Sequence, residues 1–417
     1  MIKNNQLLSE DWTVVFLGFF LIIIALLGIL VPTPSFGWET TTELTEKVLA
    51  GKNLIKLGQV FGITYVIALL SAGLLGKSIK DTAKGFPIVF VLTSLALVFA
   101  GNAFLKNWNL EAVIFSLTIG LLLSNFFTLP GWLTESLSTE LFVKIGLILL
   151  GTSVIFGDIL KAGSLGLIQA LIVVISVWYF AFWISKKMGI DEEFAIMISS
   201  AVSICGVSAA IATAGAIKGD SKKLSYVISI VLITAIPMII FLPFIANALG
   251  LSQAVTGAWL GGTIDTTGAV IASGTMVGEE ALKISTIVKF SQNVLLGFAA
   301  FAISIYWTLT NNQSETAKES KPTLGIIWER FPKFVLGFIA ASLLFSFVVS
   351  PETIDSVKGG FKSLQGLWFA LAFTSIGLET KFSDLFSKEG KKPLYAFLIA
   401  QLFNVFVTLA VAYALFN

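Results

Sequence analysis

The sequence predicts an all-α fold, a polytopic membrane helix bundle of about 11–13 spans, and three observations predict it. Hydrophobic residues make up 56% of the 417 and charged residues only 12%, whereas a soluble domain carries roughly a quarter charged. Apolar runs recur from residue 12 to the last residue with only short breaks, so one continuous membrane domain fits better than several soluble ones. The runs are long and apolar all round rather than alternating, which argues for helices against a transmembrane barrel.

A hydrocarbon core about 30 Å thick needs roughly 20 apolar residues per helix, fewer where a helix is short or broken. The first run, 12–31, follows Lys3 and could be read as a secretory signal. It is too long for one, Glu10 and Asp11 precede it, and no small-residue cleavage site closes it, so it is expected as a retained first span. Further spans are expected over 55–76, 86–101, 109–124, 139–160, 165–186, 193–217, 222–249, 253–277, 283–308, 333–350, 360–378 and 393–416. Lys77, Lys80 and Lys84, then Lys318, Lys321, Arg330 and Lys333, then Lys381, Lys388, Lys391 and Lys392 fall on one side, taken as cytoplasmic. The N-terminus is then inside. The first loop, with Glu39, Glu43 and Glu46 against Lys47 and Lys52, lies outside. Lys218, Lys222 and Lys223 break this pattern if 193–217 crosses fully. Either 193–217 and 253–277 are both re-entrant or broken, or the chain has 13 plain spans and one atypical loop.

Most spans are Leu, Ile, Val and Phe, and two are not. Segment 193–217 is rich in Gly, Ala, Ser and Thr, and at helical spacing Ser199, Ser203, Gly206, Ala210 and Thr213 share a face. Such a stripe can simply let another helix approach closely. It can also be a helix broken near Gly206, where Ser203, Val207, Ser208 and freed backbone N–H groups take an anion at the bilayer midplane. Cys205 alone reads as a small packing residue.

Segment 253–277 places Asp265 near the middle of a span, flanked by Gly261, Gly262, Gly268 and Ala269, with hydroxyls on Thr263, Thr266 and Thr267. A carboxylate at that depth costs about 2.5–3.5 kcal/mol on insertion scales and marks a functional site by default; the plainer alternative is an aspartate capping an unwound helix. In the next span, Ser285, Thr286, Lys289, Gln292 and Asn293 share a face. Lys289 either snorkels to an interface or pairs with Asp265 or a bound anion.

With no histidine and one cysteine, imidazole metal sites, imidazole proton relays and intrachain disulfides are excluded. There is no P-loop and no paired-cysteine motif, so neither an enzymatic constellation nor a cofactor is expected. A formal net charge of +2 leaves no electrostatic footprint for nucleic acid. The stretches 146–163 and 369–390 resemble each other loosely, each running an apolar helix through Thr-Ser towards an Asp-Ile or Asp-Leu pair and a glycine. As homologous copies an odd number of spans apart they would be inverted, a plan common among secondary transporters.

Taken together, SICGVSAAIATAGAIK, LGLSQAVTGAWLGGTIDTTGAVIASG, the IVKF segment and FTSIGLETKFSDL resemble the sulfate exporter family of YeiH-type bacterial membrane proteins, from about residue 86 to the end. Ser203, Ile204, Cys205 and Gly206 match that family's Ser-Ile-Cys-Gly motif. The resemblance implies an inverted-repeat fold like that of sodium/proton antiporters and bile acid symporters, a homodimer, and alternating access. Where the family has a His-Glu pair followed by Ala-Gln, this chain has Asp265, Thr266, Gly268 and Ala269, which leaves one carboxylate. The resemblance divides the chain into extra spans at 1–80 and a transporter core at 81–417.

The expectation is a secondary transporter for a small anionic solute in a bacterial inner membrane. Proton or sodium coupling would run through Asp265, with Ser203, Cys205, Gly206, Val207, Ser208, Thr263, Thr266, Lys289 and Asn293 lining the path. Two other readings stand beside it. One is a cation/proton antiporter using Asp265, the other a membrane sensor without transport.

Overall fold

The computed structural model describes residues 7–28, 32–107, 112–217, 219–310, 328, 331–383 and 391–417. Lys218, Lys318, Lys321, Arg330 and Lys388, which entered the orientation argument, lie outside the described residues. The long helices are α1 (Glu10–Leu26), α2 (Gly51–Leu74), α3 (Ile79–Ala100), α4 (Ala112–Phe126), α5 (Thr139–Gly151), α6 (Phe156–Lys187), α7 (Glu192–Ser200), α8 (Val207–Ile217), α9 (Ser221–Ala248), α10 (Gln253–Thr263), α11 (Thr267–Val277), α12 (Glu279–Thr310), α13 (Lys333–Phe347), α14 (Pro351–Glu379) and α15 (Lys392–Phe416). Among the described residues there is no strand beyond a single bridge between Trp38 and Asn102. Six of these helices are long and apolar enough to cross a membrane. The fold is an all-α polytopic membrane helix bundle.

The chain forms two compact units, Met1–Ile159 with Lys333–Lys381, and Leu160–Pro332 with Phe382–Asn417. This partition differs from the division at residue 80, which marked the reach of a resemblance rather than packing. In the first unit, α14 packs along α4 and α5. The α4 contact is close because both faces lack side chains: a Cβ on Gly120 would sit 2.6 Å from Thr374 O, and one on Gly377 would sit 2.6 Å from Leu117 O. Small residues at such a crossing let dispersion act between backbones where lipid offers no hydrophobic drive. Ser124 Oγ then reaches the carbonyls of Gly377 and Thr380 at 2.9 and 2.8 Å, covering the end of α14. Lys144 of α5 meets Glu10 at 2.6 Å and Asp11 at 3.1 Å, fixing the start of α1.

Three of the expected spans differ from plain helices. The run at 139–160 stops at Gly151, where the N–H groups of Thr152 and Ser153 close onto the carbonyls of Leu149 and Leu150 at 3.1 and 2.9 Å, and helix resumes only at Phe156. In the segment compared with it, Thr374 and Ser375 lie inside α14, so the two Thr-Ser pairs hold different positions relative to their helix ends. The runs 193–217 and 253–277 are both broken in the middle, which removes the reading of 13 plain spans.

The second unit holds both broken segments, together with α6 from residue 160, α9, α12 and α15. Its apolar core gathers Val173 and Val177 of α6, Ala195 to Ile198 of α7, Val227, Ile230 and Val231 of α9, and Phe397 and Ala400 of α15. α7, and α8 through Ala210, Ala214 and Ile217 of the same core, are thereby clamped on several sides, which a broken helix needs because its own ladder no longer holds its ends.

Candidate functional site

The first break follows from one glycine. α7 widens into a π-type turn over Ala201–Cys205, and the chain then passes through Gly206 at φ +61° and ψ −112°, a region that L side chains rarely adopt. Helix restarts at Val207 as α8. The second break is made by extended residues: α10 ends at Thr263, Ile264 has ψ 132°, and Thr266 has φ −102° and ψ 145°. The Thr266 hydroxyl accepts the N–H of Ala269 at 3.2 Å and so starts α11.

The two breaks touch. A Cβ on Gly206 would lie 3.1 Å from Asp265 Cβ and 3.4 Å from Asp265 O. Two helix C-termini, those of the turn at Cys205 and of α10, and two helix N-termini, those of α8 and α11, therefore converge. Each end leaves backbone groups with no partner in its own helix, partly negative at the C-termini and partly positive at the N-termini.

The freed carbonyls are met by side chains of α12 and α15. Lys289 Nζ donates to Ile204 O at 2.9 Å and to Gln292 Oε1 at 2.8 Å. Gln292 Nε2 donates to Ser203 O at 2.8 Å and to Gly262 O at 3.3 Å. From α15, Gln401 Nε2 and Asn404 Nδ2 reach Thr263 O at 2.9 and 3.1 Å, and Asn404 also reaches Val202 O at 3.1 Å. Thr408 orients Asn404 by donating to its Oδ1 at 2.8 Å. The α12 side chains come this close because α10 is nearly bare there: a Cβ on Gly257 would be 2.7 Å from Ala281 O, and one on Gly261 would be 2.5 Å from Ser285 O.

Lys289 is 1% exposed and Asp265 2%, so Lys289 does not snorkel, and both charges lie inside the unit. Asp265 Oδ2 has no hydrogen-bond partner, and the bonds of Lys289 go to Ile204 and Gln292 rather than to Asp265. An ammonium has three donors, so one N–H of Lys289 remains after these two bonds.

The residues expected from the sequence fall into four groups. Gly206, Thr263, Asp265, Thr266 and Lys289 belong to the crossing, and Asn293 borders it by donating to Thr267 Oγ1 at 3.3 Å. Ser203 serves through its carbonyl, since its hydroxyl donates to Ser199 O at 2.7 Å within the helix. Cys205 packs with Val174, Ile204, Ala209 and Leu296. Val207 is half-buried and Ser208 exposed, so the first turn of α8 is the accessible edge of the crossing. Gln292 is expected from the sequence only as sharing the face of Lys289, and Gln401 and Asn404 are not among the expected site residues. The available signal was an amide inside an apolar run, most clearly in AQLFNVFVTL.

A family model described as "Conserved hypothetical protein 698" matches residues 84–397. The chain is 40% identical to a UPF0324 membrane protein of Rhodopirellula baltica, over 86% of this chain and 68% of that protein. It is 38% identical to a UPF0324 membrane protein of Nitratidesulfovibrio vulgaris, over 82% of this chain and 61% of the relative. A UPF0324 membrane protein of Nitrosomonas europaea is 28% identical over 90% of this chain and 89% of its own length. The chain thus spans about two thirds of the first two relatives. No solved structure matches it. The family model, the relatives and the apolar helices agree that the chain belongs to the UPF0324 family of multi-pass membrane proteins.

Proposed function

We propose that the protein is a secondary transporter for a small anionic solute, with the crossing of the two broken helices as its site. The observation that carries this reading is the contact of Gly206 with Asp265, which brings four half-helix ends and two buried charges together in one unit. Irregular backbone at membrane depth is tolerated where it lines a cavity or is buried in protein, and transporters use it to bind solutes and ions. The N–H groups at the starts of α8 and α11 and the remaining donor of Lys289 supply positive potential for an anion. Ser208 and Thr266, at the more exposed edge of the crossing, add hydroxyls. The resemblance to YeiH-type proteins points to a sulfur oxyanion such as sulfate or sulfite. Coupling runs through Asp265: an anion beside a bare carboxylate is repelled, so neutralising Asp265 raises affinity for the solute. A solute that binds one access state better than the other then shifts the population between them. The reading includes a bacterial inner membrane, an N-terminus in the cytoplasm, a homodimer, and no chemical step on the solute.

Flux of labelled sulfate and sulfite into proteoliposomes tests it. Wild-type protein is expected to carry at least one of them, and Asp265→Asn is expected to lower the rate at least tenfold while the protein remains folded by circular dichroism. Wild-type flux indistinguishable from empty liposomes for every small anion tried, with a ligand nevertheless raising Tm, would move the protein to the sensor class.

A further inference from the structure

The two kinds of helix end at the crossing are covered unequally. Five carbonyls at the C-terminal ends, those of Val202, Ser203 and Ile204 in the first break and of Gly262 and Thr263 in the second, accept six hydrogen bonds from the buried side chains of Lys289, Gln292, Gln401 and Asn404. Two of these side chains reach both breaks with a single amide: Gln292 of α12 donates to Ser203 O and Gly262 O, and Asn404 of α15 to Val202 O and Thr263 O. The start of α8 has no such cover. Ala210 N–H closes onto Gly206 O, and among the described residues no protein group accepts from the N–H groups of Val207, Ser208 and Ala209. At the start of α11 the Thr266 hydroxyl takes one N–H, that of Ala269.

This inequality decides the sign of the charge that the crossing favours. A bare helix end carries about half an elementary charge, positive at an N-terminus and negative at a C-terminus, so two of each would cancel. The formal charges of Asp265 and Lys289 cancel as well. What remains is the difference in cover. Amide and ammonium hydrogens lie over the carbonyl oxygens, so a cation approaching them meets donors, whereas the N–H groups of α8 and the third N–H of Lys289 stay available to an acceptor. The amides add donors without adding net charge, and the oxygens of the two bridging amides are held elsewhere: Gln292 Oε1 accepts from Lys289 and Asn404 Oδ1 from Thr408.

We propose that Gln292 and Asn404 are specificity-determining residues that set the charge selectivity of the crossing. By covering the carbonyl pole of both breaks they deny those oxygens to a cation and leave the amide pole as the seat of an anion. Thr408 is a positioning residue that keeps the donor side of Asn404 turned to the carbonyls. The identification of that anion with the transported solute rests on the function proposed above.

The experiment reads half-saturation for sulfate on the full chain in two ways. One is the KM of labelled sulfate flux in proteoliposomes. The other, in detergent, is the concentration of choline sulfate that gives half of a saturable rise in Tm over choline chloride at equal ionic strength. Gln292→Leu bares Ser203 O and Gly262 O, Asn404→Leu bares Val202 O, and Gln401→Leu bares neither break because Asn404 still holds Thr263 O. Half-saturation is expected to rise least in Gln401→Leu, more in Asn404→Leu and most, about tenfold, in Gln292→Leu. Gln292 also holds Lys289, so Asn404, whose bonds go to Val202, Thr263 and Thr408, is the cleaner test. Thr408→Val keeps the shape and removes the hydroxyl that orients Asn404; it is expected to raise half-saturation about threefold and serves if the leucine variants fail to fold. A purely structural role would lower Tm without sulfate and leave half-saturation unmoved. Wild-type half-saturation in Asn404→Leu and Thr408→Val overturns the proposal, as does a larger rise in Gln401→Leu than in Asn404→Leu. Sulfate flux with half-saturation insensitive to every variant overturns the selectivity role and leaves the transporter standing. A saturable Tm response to sulfate in the expected order, without flux, supports the selectivity role and removes the transporter. Neither flux nor a saturable Tm response, with sulfate or with sulfite, overturns both.

Discussion

Gly206→Ala is expected to cut solute flux at least tenfold and to lower Tm, through two effects that act at the same atom. A non-glycine residue held at φ +61° and ψ −112° carries backbone strain of about 1–3 kcal/mol. The added Cβ would also stand 2.7 Å from Val231 Cγ1 and 3.1 Å from Asp265 Cβ. Val231 is buried in the apolar core between α9 and α7, so it has little room to retreat. Relief must come from moving the break itself away from Asp265, which separates the half-helix ends that the site depends on. Flux and Tm are measured on the same preparation. A variant that loses stability but transports at the wild-type rate would show that the contact between the breaks is only a packing feature. Ala210, four residues on in α8, is a built-in comparison: it is buried and helical with an ordinary backbone, so Ala210→Gly should change flux far less.

How much of this was legible in the sequence depends on how far apart the interacting groups lie along the chain. Hydrophobic runs declare helices locally, and α9 and α15 begin and end within a few residues of expectation. The two breaks were also legible, because Gly, Ser and Thr crowd segments 193–217 and 253–277 and a carboxylate sits mid-span in the second. What each hydroxyl would do was not. Ser199 and Ser203 share a face, but inside a helix in a low-dielectric interior their protons turn to the carbonyl one turn back, so the site receives the Ser203 carbonyl instead of its hydroxyl. The amides of Gln401 and Asn404 were hidden for another reason. Their partners are carbonyls 138 and 202 residues earlier, and those carbonyls lack partners only because the helices break. A long-range bond to a group exposed by irregular backbone leaves no periodic trace.

Lys289→Met is expected to be the most destabilising single change in the second unit, and combining it with Asp265→Asn is expected to recover part of the loss. Methionine fills the same volume but leaves Ile204 O and Gln292 Oε1 without their donor, at about 1–3 kcal/mol for each buried acceptor. It also leaves Asp265 as the only charge at the crossing. If the two charges stabilise one another across the site, the double variant should be more stable than the sum of the singles by about 0.5–3 kcal/mol; strict additivity would mean that Lys289 acts only as a cap on a broken helix. Lys289→Gln separates the roles further, because a neutral amide can return a donor to Ile204 O without a charge. Recovery of Tm by glutamine with flux still lost would place the need for the positive charge in solute binding. Recovery of both would make the carbonyl cap the whole function of Lys289, and the anion would then have to rely on the N-termini of α8 and α11 alone.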